Sequence, residues 1–204
     1  GIPEEREIQA AVPRTGFLNV RYRNFDGSLE NTTQLTPTEK DAFNGTTRLK
    51  ESRVIFLEDG TAAVTWWVND RKNPSTIYAS SMQSKNVWTS PVALSNSSYN
   101  ASLSRITPGN GGDYSVIWKR ADGLNTRIQT RTYHAATSNW SAINTLSDSG
   151  GNAMWGDIAF DGDNQLSAIW NRKNGDNWNS YHSTEVKRFS LNPFITETTI
   201  TADN

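Results

Sequence analysis

The sequence predicts an all-β protein built from repeated four-stranded antiparallel units. Two sets of tryptophans recur at a spacing of 52 residues: Trp66, Trp118 and Trp170 form one set, and Trp88 and Trp140 the other. Hydrophobic residues make up 35% of the 204 residues, and the mean hydropathy is -0.66. That composition favours short strands joined by polar turns, and a repeat of this length is typical of propeller blades or solenoid turns.

The first complete repeat predicts four strands, which we call a to d in chain order. Asp59-Gly60 separates strands a and b, and this dipeptide is a strong hairpin signal. Strand c alternates in the manner of a half-buried strand, and Pro91 places strand d at the edge of the sheet. The predicted strands cover residues 52–58, 61–68, 76–83 and 86–95.

The next two repeats follow the same order. In the third repeat Phe189 takes the place of the tryptophan on strand d. The predicted strands of the second repeat cover residues 101–107, 113–119, 126–134 and 139–147. Those of the third cover residues 155–161, 165–172, 179–186 and 188–196.

The N-terminal segment predicts a fourth, incomplete copy with candidates for strands b, c and d at residues 7–12, 16–24 and 28–36. No candidate for its strand a precedes them, so the edge of strand b needs cover. The tail at 199–204, a second copy of the chain or further blades of a longer propeller would each supply it, and we favour the last two. We therefore expect one repeat domain over 1–204, with a partial blade at 1–36 and blades at 48–95, 96–147 and 148–204, the last including the tail.

Small residues followed by tryptophan mark strand b in all three complete repeats. Blades of a β-propeller converge toward the axis, where only small side chains fit, and the gap between them widens outward. We therefore predict a β-propeller or a propeller segment, with Trp66, Trp118 and Trp170 between neighbouring blades. Contact with a ligand is the alternative role for these tryptophans, and Trp67 faces the other way.

The repeated pattern of Asp-Gly turn, small-residue strand, tryptophan and Leu-Ser resembles bacterial extracellular β-propeller repeat proteins. Sialidase-like proteins and PLL-type lectin propellers have this layout, and the resemblance implies carbohydrate binding in the extracellular space or at the cell surface. The Asp-box of true sialidases, S-x-D-x-G-x-x-W, is missing from every repeat. This absence argues against sialidase activity but not against the propeller.

Charge and composition exclude several classes of function. The chain has 20 Lys+Arg and 21 Asp+Glu, a net charge of -1, and no basic stripe, which argues against a nucleic-acid partner. No apolar run approaches the roughly 20 residues of a membrane span, so no membrane insertion is predicted. Cysteine is absent, which excludes thiol catalysis and cysteine-based metal sites. The sequence predicts no cofactor and no metal site.

One candidate site follows from the 52-residue register, because Arg53, Arg105 and Asp157 occupy matched positions near the start of strand a. Two guanidinium groups and a carboxylate close to a propeller axis could clamp an anionic or polar ligand. The resemblance to sialidases, which grip a carboxylate with arginines, points the same way. A structural ring of ion pairs that neutralises itself is the alternative.

Aromatic residues in the connections form a second candidate group. Tyr99 and Trp155 lie between strand d and the next strand a, and Trp178 lies between strands b and c. These connections share one face of a propeller, where exposed rings stack on sugars. The alternative is that the rings cap the core between blades.

These observations favour a non-catalytic binding module, with a glycan or other polar ligand as its partner. A glycoside hydrolase or sialidase-like enzyme, of which the chain is all or part, is the second hypothesis. No spacing in the sequence singles out the pair of carboxylates that such an enzyme needs. A structural or protein-interaction propeller is the third hypothesis, and a homo-oligomer remains open beside the longer propeller.

Overall fold

The computed structural model describes residues 7–11, 18–24, 26–35, 48–70, 73–173, 182–190 and 198–202. These residues form antiparallel strands, together with one 3-10 turn at Asn110–Gly112. None of the described segments is a helix long and apolar enough to cross a membrane. The strands are β1 (Glu7–Ala11), β2 (Asn19–Arg23), β3 (Thr33–Gln34), β4 (Arg48–Phe56), β5 (Ala62–Asp70), β6 (Asn73–Ser84), β7 (Val87–Trp88), β8 (Val92–Ala93), β9 (Ala101–Pro108), β10 (Tyr114–Ala121), β11 (Thr126–His134), β12 (Asn139–Trp140), β13 (Asn144–Thr145), β14 (Ala153–Phe160), β15 (Gln165–Lys173), β16 (His182–Ser190) and β17 (Thr198–Ala202).

The strands pair into four sheets that follow the predicted repeats. Blade 1 has the order β1-β2-β3, blade 2 β4-β5-β6-β7, blade 3 β9-β10-β11-β12 and blade 4 β14-β15-β16-β17. The inner strands β4, β9 and β14 contact one another in series, which is how propeller blades meet. The prediction of an all-β propeller segment with four-stranded antiparallel blades is therefore confirmed.

The outer strand of blades 2 and 3 is divided into two short pieces, because β8 pairs with β6 and β13 pairs with β11. Pro91 lies in the first gap, but blade 3 divides at the same place without a proline. In each gap a side-chain hydroxyl accepts a hydrogen bond from a backbone amide of strand c. The Ser81 amide donates to Thr89 Oγ1, and the Thr132 amide donates to Ser141 Oγ, each at 3.0 Å. The division is thus a property of the repeat and not of the proline.

Trp66, Trp118 and Trp170 are 1%, 1% and 2% exposed. Trp118 shares a core cluster with Leu57 and Ala63 of blade 2, and the other two tryptophans likewise pack on the preceding blade. Trp67 points to the opposite side of its strand and packs against the core between blades 2 and 3. The adjacent pair therefore fills the gaps on both sides of blade 2, as expected for large aromatic side chains.

Each inner strand contains a β-bulge at the same place. The register with strand b shifts between Lys50 and Arg53 in blade 2, and equivalent shifts occur in blades 3 and 4. A non-glycine residue with positive φ stands in each bulge, and these residues are 52 positions apart: Glu51 (φ 37), Leu103 (φ 56) and Trp155 (φ 53). A repeated left-handed residue at this position indicates a designed kink and not a defect.

The third complete repeat differs from the prediction in its outer half. Strand β16 runs through the predicted boundary between c and d, because Lys187 alone separates the two predicted strands and one residue cannot form a turn. Strand d is instead β17, which includes most of the tail and pairs with β16. Phe189 consequently lies on strand c with Leu166 as its partner, and not on strand d. The tail does not pair with β1 in the described residues, so the option that it covers blade 1 is not observed.

Candidate functional site

The connections between strands lie on two opposite faces of the blades. We call the side with the d-to-a and b-to-c connections the loop face, and the side with the a-to-b and c-to-d turns the turn face. Asn100 and Asn152 organise the loop face, since their Oδ1 atoms accept the amides of Ser75 (2.9 Å) and Thr126 (2.8 Å) of the preceding blade. These hydrogen bonds between blades were not predicted from the sequence, although the 52-residue spacing of the two asparagines was a usable signal.

Arg53, Arg105 and Asp157 occupy equivalent positions in three adjacent inner strands. Each lies just after its bulge, and their partners on strand b are Thr65, Ile117 and Ile169. The three lie midway along the strands and not at their starts, because β4 begins at Arg48 and carries Arg53 well inside it. The shared position follows from the bulge, which sets the same register in blades 2, 3 and 4.

These three side chains are not neutralised by one another. Arg53 and Asp157 are exposed and Arg105 is half-buried. Arg105 Nη1 donates to the Ser104 carbonyl (3.0 Å), and Asp157 Oδ1 accepts the Ile158 amide (2.9 Å). No ion pair connects any of the three to another residue in the described parts of the chain, so the alternative of an ion-pair ring is not observed there.

Trp155 combines exposure with backbone strain. Its side chain is 60% exposed, and its φ of 53° lies in the left-handed region that large residues avoid. It stands two residues before Asp157 on the innermost strand of blade 4. Exposed aromatic rings on strained backbone are typical of binding sites, where surrounding structure holds the unfavourable conformation.

Tyr99 lies in the connection that precedes β9 and is 42% exposed. The Arg120 guanidinium stands 5.2 Å from its ring centroid, close enough for a cation–π contact. Gly123 leaves room for the ring, since a Cβ atom there would approach the Tyr99 hydroxyl to 3.1 Å. One side of the ring is therefore supported by the protein. Trp178 lies outside the described residues.

The turn face has a separate feature that our prediction did not include. A cleft of about 670 Å³ lies between blades 2 and 3. The a-to-b turn of blade 2, the end of strand β6 and both turns of blade 3 contribute to its walls, so the cleft depends on the packing of two repeats and has no signature within one. Its walls include Glu58, Asp59, Ser81, Gly111, Tyr133 and Ser138.

Comparisons with known proteins identify the fold. No protein-family model and no curated protein sequence matches the chain. Among solved structures, an ulvan lyase from a new family of polysaccharide lyases has a TM-score of 0.59 at 11% identity, over 97% of this chain and 57% of that chain. The GH93 α-L-arabinofuranosidase of Fusarium graminearum has a TM-score of 0.57 at 10% identity, over 96% and 62%.

A Hadza microbial sialidase has a TM-score of 0.56 at 9% identity, over 94% of this chain and 46% of that chain. The fold is that of sialidase-like propellers. This agrees with the resemblance seen in the repeats. The chain spans between 46% and 62% of the lengths of these three proteins.

Proposed function

We propose that the chain is a non-catalytic carbohydrate-binding module that acts outside the cell or at its surface. The observation that carries the proposal is the repeated bulge, which presents Arg53, Arg105 and Asp157 at matched positions of adjacent inner strands. Guanidinium groups that have no carboxylate partner among the described residues favour anionic or strongly polar groups, and an exposed ring such as Trp155 offers a stacking surface for a sugar.

The test is binding to saccharides of matched size and different charge. We expect a uronic-acid oligosaccharide to bind more tightly than a neutral one of equal length. The Arg53→Ala/Arg105→Ala double variant should lose about tenfold or more in affinity, since a hydrogen bond to a charged group contributes about 1.5–3 kcal/mol. Lys85→Ala is the control, because this lysine is 68% exposed and pairs with Glu30 on the turn side. Undiminished binding by the folded double variant would refute the site.

An enzyme with a propeller fold is the second candidate. The observation in its favour is that the three structural neighbours bear the names of a polysaccharide lyase, a glycoside hydrolase and a sialidase. Release of reducing ends or of unsaturated products from a polysaccharide panel would support this candidate over the binding module. Binding without turnover would support the module.

We also propose that further blades, or a second copy of the chain, cover the face of blade 4 that points away from blade 3. Thr65 and Ile117 are buried under the next blade and 0% exposed, whereas the matched Ile169 is 42% exposed. An apolar side chain at an interblade position is expected to be covered in the assembled protein. Sedimentation of the chain and of Ile169→Lys tests this: self-association that the variant abolishes supports a second copy.

A further inference from the structure

The cleft on the turn face has the size of a ligand site. Its volume of about 670 Å³ lies within the roughly 300–1,000 Å³ range of small-molecule sites. It lies on the opposite face from the d-to-a and b-to-c connections, so a ligand here would not contact Tyr99. Any function of the cleft would therefore be separate from that proposed for the loop face.

The cleft is preformed. Leu57 in its wall is 8% exposed and belongs to the core between blades 2 and 3. The Tyr133 ring on its wall stacks on Tyr114 with 4.9 Å between centroids. The Gly111 amide donates to Glu58 Oε2 at 2.8 Å and so joins the turns of the two blades.

The charge of the cleft is negative. Glu58 and Asp59 are exposed in it, and no lysine or arginine contributes to its walls. Asp59 Oδ1 accepts from the Thr61 amide (2.8 Å) and hydroxyl (2.6 Å), while Glu58 Oε2 accepts from Gly111. The second oxygen of each carboxylate accepts no hydrogen bond within the described residues. These two oxygens attract a cation and repel carboxylate or sulfate groups.

We propose that this cleft binds a saccharide with a protonated amino group. The ammonium would interact with Glu58 and Asp59, because hydrogen bonds between opposite charges are the strongest that such a site offers. The half-exposed Tyr133 ring provides a stacking surface, and the exposed Ser138 provides a hydroxyl group for a sugar hydroxyl. The sugar ring and its hydroxyl groups distinguish this ligand from a simple polyamine, which would interact with the carboxylates alone.

Calorimetry and amide NMR with a glucosamine tetramer test the proposal. We expect the glucosamine tetramer to bind and to shift the amide resonances of Gly111 and Gly112. The fully N-acetylated tetramer, which has no charge, should bind at least about tenfold more weakly. Equal binding of the acetylated tetramer would overturn the role of the amine. Equal binding of spermine would overturn the role of the saccharide.

Two isosteric variants examine the carboxylates directly. Glu58→Gln retains an acceptor for the Gly111 amide, and Asp59→Asn retains one for Thr61, so both should fold. Each is expected to weaken binding by about tenfold. Asp163→Asn makes the same charge change in the equivalent turn of blade 4, outside the cleft, and should bind as the unaltered chain does. The Arg53→Ala/Arg105→Ala variant should also retain glucosamine binding, so the two sites can fail independently.

Discussion

Trp118 contributes to the packing of two blades at once. Its indole N–H donates to Gln129 Oε1 at 3.3 Å within blade 3, and its ring packs against Leu57 and Ala63 of blade 2. Removal of the ring would leave a cavity between two sheets that cannot close, since the inner strands fix their separation.

We expect Trp118→Ala to lower the free energy of unfolding by about 3–5 kcal/mol, as for other buried large aromatic residues. Urea denaturation followed by circular dichroism measures the change. Leu124→Ala is the control, because Leu124 is 93% exposed, and its effect should stay within about 0.5 kcal/mol. A similar small effect at Trp118 would contradict its role between the blades.

Tyr114 links stability to alkaline pH. Burial raises the pKa of its hydroxyl well above the usual value, and a hydrogen bond with Ser81 offsets part of that rise. A group whose pKa is higher in the folded state stabilises the fold fully below its unfolded pKa, which is about 10 for tyrosine. This stabilisation is lost as the pH rises from there through the folded pKa.

The free energy of unfolding should therefore fall as the pH rises above about 10. Tyr114→Phe should remove part of that fall, at a cost of about 1 kcal/mol near neutral pH for the lost hydrogen bond. Denaturation curves at several pH values compare the two proteins. Identical alkaline slopes would show that Tyr114 does not control this transition.

The 52-residue repeat predicted which residues occupy equivalent positions in successive blades, but it did not predict their backbone conformation. The burial of Trp66, Trp118 and Trp170 followed from their spacing and from the convergence of blades. The left-handed conformation of Glu51, Leu103 and Trp155 did not, because none of these residue types prefers it. Tertiary packing imposes it, and a single repeat contains no local signal for it.

The inner-strand bulge is the element that gives Arg53 its place. The left-handed conformation of Glu51 (φ 37) costs about 1–2 kcal/mol for a residue with a Cβ atom. Glycine avoids that cost but loses about 0.5–1 kcal/mol through its greater freedom in the unfolded chain. The first effect is the larger of the two.

Glu51→Gly should thus raise the free energy of unfolding by about 0.5–1 kcal/mol. Lys50→Gly should lower it by a similar amount, because Lys50 is exposed on the same strand and its φ is not positive. Thermal and urea denaturation give both values. Destabilisation by the two variants alike would show that the bulge is not strained.

Turn residues decided which strand boundaries could be read from the sequence. The third strand of the second repeat was predicted at residues 126–134 and is observed as Thr126–His134, because Asp122 to Asn125 and Ala135 to Ser138 form clear turns around it. The equivalent boundary in the third repeat was wrong, since no turn residues separate 186 from 188. The divided outer strand was also missed, because side-chain hydroxyls interrupt it without a turn.

At the scale of the whole molecule, each blade depends mainly on its neighbours. The core clusters lie between successive blades, and the tail strand β17 pairs with β16 at the outer edge of blade 4. In such repeat architectures stability is close to a sum of units and nearest-neighbour interfaces. The loss of an outer strand should therefore remain local.

Deletion of residues 198–204 should leave blades 2 and 3 folded, with a change of about 1 kcal/mol or less in their stability. Hydrogen exchange should show unchanged protection in β5 and β10 and faster exchange in β16. Loss of protection in every blade would show that the tail closes the molecule. A full-length chain examined under the same conditions is the control.

The bulge shared by the inner strands separates the packing of the repeat from the residue that the repeat presents after the bulge. Since the kink precedes positions 53, 105 and 157 in blades 2, 3 and 4, a duplicated unit places whatever residue stands there at the same position of the inner strand. A substitution at one of these positions changes a side chain of the inner strand, whereas Trp66, Trp118 and Trp170 belong to strand b. Arg, Arg and Asp at these three positions are thus one of many residue combinations that the same repeat can carry.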